Sequence, residues 1–188
     1  HFSLTYLSQH YRDGWIAYRK CLKLYLQKNY NEAIPQWKKL YLQYPEHFMT
    51  GNILFWLAMC YYRIEHYSSA LEYFEKILQK FSCHTSHIAQ VYYRRALCHY
   101  YQKNMQVAIA SLTEFIQDFP DHDLCQGSYF FLAQALEQEA QRRLAMQTYE
   151  EFLQRFPSHA RAKEALLSVA KISMESGYFQ KARQYHRT

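Results

Sequence analysis

Residues 69–78, SALEYFEKIL, contain the pattern that decides the fold. Ala70, Phe74 and Ile77 follow one another at intervals of four and three residues, so they share one face of an α-helix. A short break at residues 65–67 separates this segment from the preceding stretch, which begins near Asn52 and contains no proline. The pattern therefore predicts two consecutive helices joined by a tight turn.

Ala70 belongs to a grid of small residues that runs through the whole chain. Two sets recur every 37 or 38 positions, the second set twelve residues after the first: Cys21, Ala58, Ala96, Ala133 and Ala170, then Ala33, Ala70, Ala108, Ala145 and Ala182. Twelve residues further on come Pro45, Ser82, Pro120 and Pro157. Small residues at a fixed phase indicate close helix crossings, and a proline ends a helix. A period in this range predicts an array of repeated helix pairs.

The pattern resembles the tetratricopeptide repeat over residues 11–188. In that family a small residue lies in helix A, an alanine opens helix B, an aromatic residue follows four positions later, and a proline closes the unit. The departures are small: the helix-A residue is Ala or Cys rather than Gly, Arg95 stands where the family usually has Leu, and Ser82 replaces one proline. The resemblance implies an all-α, right-handed α-solenoid of about five antiparallel helix pairs without a β-sheet.

The repeat phase predicts the organisation of the chain. We expect residues 1–10 to be the end of a preceding repeat's helix and residues 11–188 to form a single array. Its repeats are predicted at about residues 11–47, 48–84, 85–122, 123–159 and 160–188. The helix that Ala182 opens is short, and neither end carries the polar outer face of a capping unit. We therefore expect incompletely capped ends, as in a fragment of a longer array, and the alternative is that another chain covers them.

The period also bears on localisation. It exceeds the usual repeat of about 34 residues, and long repeats that end in Phe-Pro resemble those of bacterial cell-envelope proteins, namely the Tol–Pal accessory protein and the outer-membrane assembly lipoprotein. This predicts a place in the cell envelope or periplasm.

The five cysteines favour the alternative, the cytoplasm. Cys60 and Cys98 hold the same phase on helices about 8–10 Å apart, too far for a disulfide, so we expect thiols there.

Composition and motifs exclude several functions. The chain has no apolar run long enough to span a membrane. Its net charge is +6, but it has no run of five basic residues, so nucleic acid is not an expected partner. Gly-rich phosphate loops and hydrolase motifs are absent, so we expect a protein that is not an enzyme and has no cofactor. Cys83, His84 and His87 are the best candidates for metal ligands, but three ligands on one turn do not predict a site.

The resemblance implies a concave groove lined by helix A. Its phases give an aromatic, partly basic set of candidate partner-binding residues: Tyr18, Arg19, Tyr25, Phe55, Trp56, Met59, Tyr62, Tyr93, Arg94, Leu97, Tyr100, Phe130 and Phe131. Two aromatic rows should not all be buried in a two-layer stack, and Tyr, Trp, Met and Arg are enriched at protein interfaces. The structural alternative is that these side chains fill space between repeats.

These observations predict a non-enzymatic scaffold that binds a protein or peptide segment in the groove. The alternative is a self-assembling element whose aromatic faces form a homo-oligomer interface.

A second regularity concerns histidines, which recur in the turns between repeats at His10, His47, His84, His122 and His159. We expect them to be turn residues copied with the repeat, and the alternative is a pH-sensitive stripe.

Overall fold

The computed structural model describes residues 4–45 and 48–177, with side chains from residue 12 onward except that of His84. The described residues form α-helices and one short 3-10 helix, without a strand: α1 Leu4–Leu26, α2 Tyr30–Gln43, α3 Thr50–Arg63, α4 Tyr67–Lys80, the 3-10 helix Ser82–His84, α5 Ile88–Tyr101, α6 Met105–Asp118, α7 Leu124–Gln138, α8 Arg142–Arg155 and α9 Ala162–Glu175. The predicted all-α class is confirmed.

The chain divides into two compact units, His1–Val91 and Tyr92–Thr188. In unit 1, α1 packs against α2, α2 against α3 and α3 against α4. In unit 2, α6 packs against α7, α7 against α8 and α8 against α9. Because the connections inside each helix pair are only a few residues long, neighbouring helices run antiparallel.

The grid of small residues lies in the core of both units. Every described member is buried: Cys21, Ala33, Ala58, Ala70, Ala96, Ala108, Ala133, Ala145 and Ala170. Ala182 lies outside the described residues. Four positions after each alanine that opens a second helix stands a large, fully buried side chain: Trp37, Phe74, Leu112 and Tyr149. The small residues therefore let two helices approach while the large ones fill the space beside the crossing.

The turn inside each pair repeats in detail. Lys28, Glu65, Lys103 and Ala140 adopt left-handed backbone conformations, with φ of 63°, 62°, 64° and 57°. In the first turn, the Lys28 N–H donates to the Tyr25 carbonyl and the Asn29 N–H to the Leu24 carbonyl, both at 2.9 Å. This is a Schellman cap, which satisfies the last carbonyls of the helix and usually uses glycine at the left-handed position.

One predicted boundary is wrong. Helix α1 continues without a break from Leu4 to Leu26, so the turn expected at His10, between residues 1–10 and the array, is not there. The physical reason is local: no glycine or proline precedes Gly14, and Ser8 stands where most other units have a helix-ending proline. The Ala182 helix predicted near the other end lies outside the described residues.

Candidate partner-binding surface

Most of the predicted groove residues are less accessible than expected. Of the thirteen, nine are buried: Tyr25, Phe55, Met59, Tyr62, Tyr93, Leu97, Tyr100, Phe130 and Phe131. For these nine side chains the structure fits the alternative, in which they fill space between repeats, whereas Tyr18 is half-buried. Helices α3 and α7 are apolar almost all round because they pack against helices both before and after them along the chain.

Most of the predicted groove residues that remain accessible to solvent lie in unit 1. Trp15 is 46% exposed, Tyr18 and Trp56 are half-buried, and Arg19 is exposed. The Trp56 indole Nε1 donates a hydrogen bond to the Tyr18 hydroxyl at 2.8 Å. The Trp15 and Tyr18 rings meet edge to face, with centroids 5.6 Å apart. Trp15, which the sequence prediction left out, thus extends the surface by almost one turn of α1.

Beyond Trp56 the aromatic surface continues to the turn before α5. His87 stacks on Phe55 with ring centroids 4.2 Å apart, and its ring centre lies 5.4 Å from that of Trp56. Burial lowers the pKa of His87 and raises that of Tyr18. We call Trp15, Tyr18, Trp56 and His87 the aromatic strip.

The buried ring of Tyr25 packs against the strip, and Arg63 is hydrogen-bonded to this tyrosine. The Tyr25 and Trp56 ring centroids are 4.8 Å apart. The exposed Arg63 donates through Nε to the Tyr25 hydroxyl at 3.2 Å. Arg63 was not among the predicted groove residues, and it adds a cation beside Tyr25.

In unit 2 the predicted groove aromatics are covered by an arginine. The guanidinium of Arg161 lies 4.8 Å from the ring centroid of Phe130 and 4.9 Å from that of Phe131. Arg94 lies 5.3 Å from the ring centroid of Tyr93. The sequence prediction missed Arg161, because its position after the turn histidine gives no periodic signal.

The Tyr100 hydroxyl is held between two glutamines of α7. It donates to Gln134 Oε1 at 3.2 Å and accepts from Gln138 Nε2 at 2.9 Å. One turn of helix separates the two glutamines, so both reach the same hydroxyl. This tyrosine hydroxyl finds its partners within the protein, which explains how Tyr100 can be buried.

The repeat phases of Phe130 and Glu137 continue on α9 with Leu167 and Met174, 37 positions further along the chain. Leu167 and Met174 are 57% and 53% exposed. Glu137, in the same phase as Tyr100, accepts from Lys171 Nζ at 3.0 Å and from the Tyr149 hydroxyl at 3.2 Å. These positions of unit 2 therefore carry exposed aliphatic side chains and a hydrogen-bonded carboxylate, where unit 1 has aromatic residues.

The turn histidines that the structure describes act as predicted. His122 Nδ1 accepts from the Leu124 N–H at 3.1 Å, and His159 Nδ1 accepts from the Arg161 N–H at 3.1 Å. Their rings pack against Phe115 and Phe152. The turn role is confirmed for these two, whereas His10 lies inside helix α1 and not in a turn. His47 and the side chains of His10 and His84 lie outside what the structure describes.

The five cysteines are all in the thiol state, as predicted for Cys60 and Cys98. Burial raises the pKa of Cys21 to about 11 and those of Cys60 and Cys98 to about 12, so they are poor nucleophiles near neutral pH.

Among the residues whose side chains are described, no three His, Cys, Asp or Glu converge as metal ligands. None of the described helices has the length and apolar character needed to cross a membrane.

Comparisons with solved structures support the fold. The crystal structure of MamA has a TM-score of 0.73 and 20% identity, with 88% of this chain and 89% of that chain covered. MamA 41-end from Desulfovibrio magneticus RS-1 has a TM-score of 0.77 and 12% identity, with 93% and 91% covered. The apo form of RapI has a TM-score of 0.77 and 13% identity, with 93% and 68% covered. At these identities the likeness shows the fold alone.

A search of curated proteins gives no match. Two family models, both described as the tetratricopeptide repeat, match residues 51–82 and residues 90–122 and 128–159. These segments together span just over half of the chain. They fall on the helix pairs whose small residues are buried at the crossings. On these grounds the chain belongs to the tetratricopeptide-repeat family.

Proposed function

We propose that this chain is a non-enzymatic scaffold that binds a segment of a partner protein on the aromatic strip of unit 1. The tetratricopeptide-repeat fold is typical of protein-interaction scaffolds. The observation that supports the location is the partly accessible cluster of Trp15, Tyr18 and Trp56, with the exposed Arg19 about one helical turn after Trp15 on α1.

The chemistry of the strip fits a short apolar or aromatic anchor beside a carboxylate. Trp and Tyr rings offer apolar faces, and Trp and Arg dominate the energetics of many interfaces. The Trp56–Tyr18 hydrogen bond and the support from Tyr25 hold the rings in place before a partner arrives, which reduces the entropy lost on binding. The buried groove residues then act as the floor of the site rather than as its contact surface.

A peptide-library selection tests this function. Peptides selected on the wild-type chain should lose about tenfold or more in affinity for Trp15→Ala and for Arg19→Glu. Leu42→Ala is the matched control, since Leu42 is 76% exposed on α2 and lies outside the strip. Equal affinity for all three variants would refute the strip as the site.

The alternative function is self-assembly through the same aromatic side chains. Light scattering across concentration separates the two: a wild-type chain that self-associates, with Trp15→Ala monomeric, favours the homo-oligomer interface. The place of the protein, in a bacterial cell envelope or in the cytoplasm, stays a prediction, as does the resemblance to the envelope proteins.

A further inference from the structure

A groove of about 640 Å³ runs between helices α1 and α2, outside the aromatic strip. Its floor includes Ile16, Leu24 and Leu40, of which Ile16 is 47% exposed. Three ammonium groups line it, those of Lys20, Lys23 and Lys39. The described part of the chain places no carboxylate within ion-pair distance of any of the three.

The next helix pair shows what such a groove holds. Moving 37 residues along the chain places Ile16, Lys20 and Lys23 on Ile53, Leu57 and Cys60 of α3, which are fully buried. Helix α2 packs on this face. A groove of this repeat is therefore shaped to hold a helix.

Cation–π contacts show that α2 reaches both helices of the second pair. Lys38 Nζ of α2 lies 5.5 Å from the ring centroid of Tyr61 on α3. Lys76 Nζ of α4 lies 5.0 Å from the ring centroid of Tyr41 on α2. In the first pair, by contrast, none of the described helices occupies the equivalent groove between α1 and α2.

Charge distinguishes the two grooves. Lysines at positions 20 and 23 replace the apolar Leu57 and Cys60 of the second pair, whereas Ile16 remains apolar. Asp13 and Glu32 also line the groove. Because α1 and α2 are antiparallel, Asp13 lies towards the end far from their turn, and Glu32 lies near the turn at about the level of Lys23. Lys20 and Lys39 lie between these two ends.

We propose that the α1–α2 groove binds an acidic amphipathic helix of a partner protein. Its apolar side would rest on Ile16, Leu24 and Leu40, and its carboxylates would meet Lys20, Lys23 and Lys39. This is helix-in-groove recognition, with the charge of the rim selecting the partner. The site does not use the aromatic strip, so it stands independently of the function proposed for that surface.

A pair of stapled peptides tests the proposal on the full chain. Both carry the sequence of α2, Tyr30–Gln43, because that helix fits the equivalent groove. One keeps Lys38 and Lys39, and the other has Lys38→Glu and Lys39→Glu. Position 38 is informative because its contact in the second pair, Tyr61, corresponds to Leu24 beside Lys20 and Lys23. The glutamate peptide should bind about tenfold or more tightly than the lysine peptide, and salt should weaken this preference.

Charge reversal supplies the second part of the test. Lys20→Glu with Lys23→Glu should reverse the order of the two peptides. The matched control, Arg143→Glu with Lys163→Glu, makes the same change of charge at exposed positions of unit 2 and should keep the order. Trp15→Ala should also keep it, which separates this site from the aromatic strip. Circular dichroism checks that every variant remains helical.

Three outcomes would overturn the proposal. The first is equal affinity for the two peptides, and the second is no binding at peptide concentrations up to about 1 mM, which corresponds to a binding free energy weaker than about −4 kcal/mol. The third is concentration-dependent self-association that Lys20→Glu with Lys23→Glu abolishes, because a second copy of the chain would then fill the groove.

Discussion

The indole nitrogen of Trp56 donates to the hydroxyl of Tyr18 across 2.8 Å, and this bond links helix α3 to helix α1. The two residues lie 38 positions apart, one repeat along the chain. Both side chains are half-buried, so the bond is shielded in part from water while the ring edges stay accessible. It therefore stabilises the stacking of repeats and also fixes the surface that we propose for partner binding.

Removing this hydrogen bond should destabilise unit 1. Tyr18→Phe deletes only the hydroxyl, so the free energy of unfolding should fall by about 0.5–1.5 kcal/mol. Urea unfolding measures the change, and a double-mutant cycle with Trp56→Phe isolates the pair from the packing that Trp56 makes with Tyr25. A coupling energy below about 0.3 kcal/mol, within the error of additivity, would show that the bond contributes nothing.

Gly127 on α7 should be intolerant of a methyl group because of Tyr93. A Cβ at position 127 would lie 2.5 Å from the Tyr93 hydroxyl oxygen, and the tyrosine is buried and cannot move aside freely. Gly→Ala inside a helix normally stabilises by about 0.5–1 kcal/mol. Here we expect Gly127→Ala to destabilise instead, by about 1–3 kcal/mol through overpacking.

Tyr93→Phe provides the matched background for that test. Without the hydroxyl, the nearest ring carbon would be 3.3 Å from the new Cβ, a contact that small adjustments relieve. In this background Gly127→Ala should therefore be neutral or stabilising in thermal or urea unfolding. The same loss of stability in both backgrounds would mean that the hydroxyl is not the obstacle.

The left-handed residue at the end of α7 offers a stabilising change. Ala140 is exposed with φ 57°, a conformation that costs an L-residue about 1–2 kcal/mol and glycine almost nothing. Ala140→Gly should raise the free energy of unfolding by about 0.5–1 kcal/mol, after allowing for the greater freedom of glycine in the unfolded chain. Ala110→Gly, at an exposed position inside α6, should lower it by about 1 kcal/mol. If Ala140→Gly and Ala110→Gly lowered the free energy of unfolding by similar amounts, this would contradict the left-handed conformation of Ala140.

The sequence predicted the helix pairs because their signal is local and periodic. A small residue at a helix crossing, such as Ala70 or Ala108, can be read from spacing alone, and both are fully buried. The left-handed turns were missed because Lys28, Glu65, Lys103 and Ala140 are not the glycines that mark such positions. Packing enforces these conformations against the local preference.

The groove was harder to predict because burial depends on neighbours far along the chain. Tyr62 and Tyr100 have the phase and chemistry of contact residues, yet both are buried. For Tyr100, a hydrogen bond donated to Gln134 and one accepted from Gln138 of the next helix pair explain why. Arg161 covers Phe130 and Phe131 from the repeat after theirs. Such partners arise only once the helices are packed. The helical phase of a residue therefore does not show whether its side chain is buried or exposed.

His87 should make the stability of unit 1 depend on pH. Its ring stacks on Phe55, its Nδ1 lies 3.2 Å from Asn52 Oδ1, and burial lowers its pKa below the ordinary value of 6.5. As pH falls through about 6.5, the unfolded chain takes up the proton first, because its histidine keeps the ordinary pKa. The free energy of unfolding should therefore decrease from that pH down to the lowered pKa of His87 and change no further below it.

The comparison of wild type with His87→Gln isolates this contribution, since the other histidines titrate in both proteins. Urea unfolding between about pH 5 and 8 should show that the difference in stability between the two proteins is largest at the upper end of this range and shrinks as the pH drops. The sign follows from the direction of the pKa shift: only a histidine that is harder to protonate in the folded state loses stability on acidification. A difference that stays constant with pH, or that grows in acid, would show that the folded protein does not disfavour the charged form of His87.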